Sequence, residues 1–180
     1  MEALTLPGAR LALYAGNLTW HGMAVYHFAF NPQRIIKSYT RGVRVPSKLN
    51  DLHFDITRYL GAMNAAAVMC ALLRIIALVK AIRRYGARSR RSQKKADEDS
   101  NLSSEAKAKE VVRATVDKEL DKLALATLFI ANGSQFLCNM TFARASGRWI
   151  VGHGLDGITV FDTTFTVLNG LTLLARLRGF

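Results

Sequence analysis

Apolar residues in this chain gather into four long runs separated by stretches dense in charge. A bilayer core of about 30 Å is crossed by about 20 mostly apolar residues in helical form, and each run has about that length. The first, Leu11 to Phe30, ends at Asn31-Pro32, where proline's missing N–H and its restriction of the preceding residue predict a helix stop. The second covers residues 59–79, the third 123–143 and the fourth 157–175, the last closed by Arg176 and Arg178. The pattern predicts an all-α fold: an integral membrane four-helix bundle forming a single membrane domain over residues 1–180. A soluble bundle would show a polar face with charges on every turn of each helix, and the third and fourth runs show no such face.

The linkers refine this picture. Residues 33–57 read as a polar loop, with Pro46 as a turn marker. Residues 80–122 form a charged insertion that begins with the basic block RRYGARSRRSQKK and continues with the acidic, Ser-rich DEDSNLSS. From about Ser104 the text turns helical. Val112, Val116, Leu120 and Leu123 fall on one stripe, so an amphipathic helix is expected to run unbroken into the third span as a cytoplasmic or matrix-side extension. The last loop, Arg144 to Asp156, is short.

Charge then orients the chain. The sequence has 180 residues, half of them hydrophobic, and a formal net charge of +12. Four spans put both termini and the insertion on one side with sixteen Lys/Arg, against eight in the other two loops. The positive-inside rule assigns the richer side to the cytoplasm, or to an organelle's matrix or stroma. The endoplasmic reticulum and the mitochondrial inner membrane both fit. Arg83, Arg84, Arg88, Arg90, Arg91, Lys94 and Lys95 read as contacts to anionic lipid headgroups, about 1 kcal/mol for each residue near the surface. Nucleic acid is the less favoured partner, because the block, with Tyr85 its one aromatic residue, lacks the aromatic interleaving that stacks bases.

Arg74 sits inside the second run, six residues before Lys80 and so roughly 9 Å along a helix. Its long side chain is expected to snorkel toward the same surface. Cys70 and Cys138 lie within apolar runs, against a disulfide framework or a zinc knuckle. The chain has no nucleotide-binding Gly loop, HExxH, CxxC or Gly-x-Ser-x-Gly, so neither a cofactor nor a metal is expected.

Candidate chemistry therefore lies in polar residues within the spans. Counted from the surface opposite the insertion, His27, Asn64, Asn139 and Asp162 fall four to six residues deep, one on each helix, with His21 and Gln135 forming a deeper layer. Lipid cannot satisfy such groups, so they are expected to face the bundle interior. One reading is a polar cavity in which Asp162 and a histidine carry protons or bind substrate. The other is interhelical hydrogen-bond glue, typically about 1 kcal/mol per contact. Gly61, Ala65, Ala66 and Gly133 read as sites of close helix approach.

The layout itself is familiar: a first span, a polar loop, Arg58-Tyr-Leu-Gly61 opening a span of small residues, a third span with Ser134-Gln135-Phe136, and a fourth rich in Thr and Asn. It resembles the small four-span DoxX-like proteins. It is similar also to the sterol-biosynthesis scaffold family of the endoplasmic reticulum, whose second span opens with Arg-x-x-Gly. That likeness implies a tethering role rather than catalysis. In the third span this chain has Asn132 and Gln135 where the scaffold family has a His and a Glu, so only architecture carries over.

Two functions compete at this point. One is a non-enzymatic scaffold or accessory subunit that meets the bilayer and other membrane proteins. The other is a membrane-embedded transporter or enzyme using the Asp/His cluster. The topology common to both is testable. In a Cys70→Ser, Cys138→Ser background, single cysteines at Ser47 and at Ser92 should react with an impermeant thiol reagent from opposite sides of sealed vesicles. Labelling of both from one side would overturn the four-span arrangement.

Overall fold

The computed structural model describes residues 2–39, 51–94, 104–143 and 155–179. Every regular element among them is helical. A short α1 (Glu2–Thr5) leads into α2 (Pro7–Val25), which Pro7 opens from a position whose N–H would be unpaired in any helix. The helix then widens into a π-helical turn, Tyr26–Phe30. Asn31 breaks it, and Pro32 starts α3 (Pro32–Tyr39). The polar loop expected over 33–57 is thus partly helical: α3 takes its beginning and α4 (Asp51–Lys94) its end, while residues 40–50, with Pro46, lie outside the described residues. After α5 (Ser104–Cys138) comes a second π-helical turn, Asn139–Ala143, and α6 (Leu155–Leu177) closes the chain. Most of the Arg144 to Asp156 loop, including Trp149, lies outside the described residues.

Three helical stretches are long and apolar enough to cross a membrane: Asp51–Gly86, Ala108–Thr141 and Gly157–Leu177. α2 is not among them, because Arg10, Asn17 and His21 lower its average hydropathy. Those residues all lie on the buried face of α2. α2, α4, α5 and α6 form a closed ring in which each packs on two neighbours. The tightest approaches are made by glycine. A Cβ on Gly61 would fall 2.6 Å from the Ala29 backbone nitrogen, and one on Gly16 would fall 2.8 Å from the Phe165 ring. Gly133 has ordinary room, its Cβ position lying 3.4 Å from Thr166.

The distribution of polarity is the reverse of a water-soluble bundle. Among the described residues twelve polar or charged side chains are buried, against eight in the apolar core, while Leu, Ile, Val, Met and Phe side chains stand exposed on every long helix. Water-soluble proteins rarely bury charges and keep few large exposed apolar patches. Burying polar groups inward and turning apolar ones outward suits a surround of acyl chains.

At one end of the ring the burial is ionic. Asp121 of α5 is fully buried and meets a guanidinium from each of the three other helices: Arg10 Nη1 at 2.6 Å, Arg74 Nη2 at 3.1 Å and Arg176 Nε at 3.1 Å. The Tyr14 hydroxyl donates to the same carboxylate at 2.8 Å. Arg74 also pairs with Asp117 at 3.0 Å. Two expectations are corrected here. Arg74 is 5% exposed and points into the bundle rather than snorkelling, because Asp117 and Asp121 compensate its charge there. Asp117 and Asp121, assigned by composition to the charged insertion, are bundle residues. Since Arg10, Arg74, Asp121 and Arg176 meet, the start of α2, the end of α6 and both ends of the insertion lie at this one end of the ring.

α4 and α5 continue past it. At about 1.5 Å per residue the 44 residues of α4 extend about 66 Å and the 35 of α5 about 52 Å, well beyond a bilayer core of about 30 Å. Removing one partner of a buried ion pair typically costs about 3–5 kcal/mol. Asp121→Asn, which removes the charge that three guanidiniums share, is therefore expected to destabilise the detergent-solubilised protein by that amount. Arg176→Gln, at the most exposed of the three arginines, should cost less, as read by thermal unfolding. Equal small losses for both would show that the cluster does not hold the ring.

Candidate functional site

Below the ionic cluster the inner face of α2 continues at helical spacing with Asn17 and His21. Asn17 and Asn169 of α6 exchange side-chain amide hydrogen bonds at 3.2 and 3.1 Å, and Asn132 of α5 donates to Asn17 Oδ1 at 3.0 Å. One asparagine from each of three helices thus forms a buried knot, which reads as glue. One layer further, Asn64 of α4 donates to the Leu60 carbonyl at 2.8 Å. Its Oδ1 is then the acceptor facing His21 Nδ1 at 2.7 Å and Gln135 Nε2 at 3.3 Å. That assignment makes Nδ1 the donor and leaves His21 Nε2 without a side-chain or backbone partner.

Beyond this layer the helices enclose a chamber of about 600 Å³, in the size range of small-molecule sites. Side chains from α2, α4, α5 and α6 line it, and Ile35 of α3 flanks it. Five of the six polar residues singled out from sequence line this chamber: His27, Asn64, Gln135, Asn139 and Asp162. His21 lies behind the wall, bonded to Asn64. Asp162 was paired with a histidine on paper, but the geometry differs. Its Oδ1 accepts from the Trp20 indole N–H at 2.8 Å, and no hydrogen bond joins it to His21 or His27 among the described residues. Fully buried, it has no partner for Oδ2. His27 Nδ1 is likewise buried without one.

Both π-helical turns sit at this end, and they contribute His27, Phe28 and Asn139 to the lining. π-helical turns frequently occur at functional sites, because the extra residue per turn loosens the helix and redirects side chains. Trp20 was not foreseen. Its signal was its place one residue before His21, at a flank of the buried stripe, and its partner lies 142 residues away.

Of the residues read as lipid-headgroup contacts, Arg83 and Arg84 are exposed on α4 past the ionic cluster. Arg88, Arg90, Arg91 and Lys94 belong to the last turns of the same helix, and Lys95 lies outside the described residues. Among the described residues no three His, Cys, Asp or Glu side chains converge as metal ligands.

The fold and site define a small all-helical protein with three membrane-crossing candidates and a polar interior. Compared with known protein families, curated proteins and solved structures, the chain matches none.

The asparagine knot has a measurable share in assembly. Asn17→Leu removes the group shared by Asn132 and Asn169, and at about 0.6–2 kcal/mol per interhelical hydrogen bond should lower unfolding stability by about 1–3 kcal/mol. Much of that loss should be absent when Asn17→Leu is made on an Asn132→Leu, Asn169→Leu background. Additive losses would show that the three amides act independently.

Proposed function

We propose that this is a four-span membrane protein whose chamber binds a small molecule within the bilayer, as a carrier or a membrane-embedded enzyme does. The carrying observation is the fully buried Asp162, whose Oδ2 has no protein partner and which lines a chamber built by all four bundle helices. A carboxylate that served only as glue would have both oxygens engaged across a helix interface, as Asp121 has. α2 with its π-helical turn, Pro7 to Phe30, is the fourth span. Its 24 residues extend about 36 Å, and its polar residues are turned inward. The excess of Lys/Arg beside the termini and the insertion favours a cytoplasmic, matrix or stromal side for that end.

A second reading has its own support. Past the ionic cluster, α5 carries exposed Val111, Val112, Val116 and Leu120. Such a stripe on a projecting helix suits a partner helix, as in a scaffold or accessory subunit, and it agrees with the architectural likeness to the sterol-biosynthesis scaffold family.

The two readings separate on Asp162. Asp162→Asn keeps size and hydrogen-bonding capacity, so it should insert and purify at the normal level, whereas Asp162→Leu should also assemble poorly. Native mass spectrometry of protein extracted from membranes should show a small-molecule adduct on the wild type and not on Asp162→Asn. Adduct-free spectra for both, with a co-eluting protein partner, would favour the scaffold.

A further inference from the structure

The same protein shows at its other end what a buried carboxylate requires. Asp121 is compensated by three guanidiniums and a phenol hydroxyl. Asp162, buried to the same extent, has one indole N–H. Among the described residues no Lys or Arg side chain lines the chamber, and Asp162 is the only acidic residue that does. A charged Asp162 would draw compensation of the kind Asp121 has from a molecule held in the chamber.

The chamber wall also constrains the rest of that molecule. Most of it is apolar, and the lining residues Met23, Leu60 and Met63 are exposed on the outer surface, Met63 at 71%. Their positions belong to the apolar exterior of the bundle, so the chamber opens toward acyl chains. Beside the carboxylate stands the Trp20 indole, its N–H donating to Oδ1 and leaving Oδ2 for a ligand.

We propose that the chamber takes an amphiphile with a primary or secondary amine head, the ammonium N–H donating to Asp162 Oδ2 and the apolar tail leaving past Met23 and Met63. This rests on the small-molecule reading above and names its ligand class. A quaternary ammonium has the charge but no N–H for Oδ2. A carboxylate head would meet like charge. An alcohol donates an O–H to the carboxylate but brings no positive charge to set against it, and attraction between opposite charges is strong where water is excluded.

The test uses the full chain in lipid nanodiscs, in a Trp149→Phe background that leaves Trp20 as the sole tryptophan. Dodecylamine, dodecanol, dodecanoate and dodecyltrimethylammonium share one tail and differ in head. Dodecylamine should change Trp20 fluorescence saturably and raise the unfolding temperature, with the other three weaker by about tenfold or more. Asp162→Asn should lose the amine preference. If that variant fails to reach the nanodisc, Trp20→Phe, which frees Oδ1, should keep the preference by the thermal readout. Dodecanol or dodecanoate binding as well as the amine, or Asp162→Asn binding it unchanged, would overturn the amine assignment and leave the small-molecule reading standing. Saturable binding by none of the four would sink both.

Discussion

One carboxylate holds the four helices in register. Asp121 is buried among Arg10, Arg74 and Arg176, so each helix of the ring contributes a charge to a single point. Coulomb attraction is weak in water and strong at low dielectric, which makes such a contact most effective where water is excluded. Three guanidiniums with Asp117 and Asp121 leave one net positive charge. Rotation of any one helix would break its share of this contact, so the contact sets rotational phase as well as proximity.

The rest of the interior follows from that phase. With Arg10 aimed inward, Tyr14, Asn17 and His21 are carried inward too, being on one face of α2. The same holds for Arg74 and Asn64 on α4, for Asp121 and Asn132 on α5, and for Arg176 and Asn169 on α6. The layers differ in character along the ring: an ionic cluster with both Asp121 oxygens engaged, an amide knot, a His21–Asn64–Gln135 contact, then a chamber with an unpartnered carboxylate oxygen. From Arg10 to His27 these layers extend about 25 Å along α2. One end is closed by charge. The other is loosened by two π-helical turns.

This asymmetry gives a physical division of labour. Charge pairing is concentrated at the Asp121 end, and the carboxylate with an unpartnered oxygen lies at the chamber. A buried group left without a partner costs stability, and the paired carboxylate at the other end offsets such a cost.

The all-helical class and the long apolar helices were legible along the chain, because a run of about 20 apolar residues is a local property that needs no partner. Inward-facing polar positions were legible in part, since lipid offers them nothing. Pairings were not. Arg74 reads as a snorkelling residue until Asp121, 47 positions later, is seen beside it, and Asp162 reads as a partner for histidine until Trp20 is found at its oxygen. Nor does composition separate Asp117 and Asp121 from the charged insertion beside them. Sequence determines which segments are helical and which side chains cannot face lipid. The tertiary structure alone decides which of those side chains meet, because a pairing depends on the axial register and rotation of helices far apart in the chain.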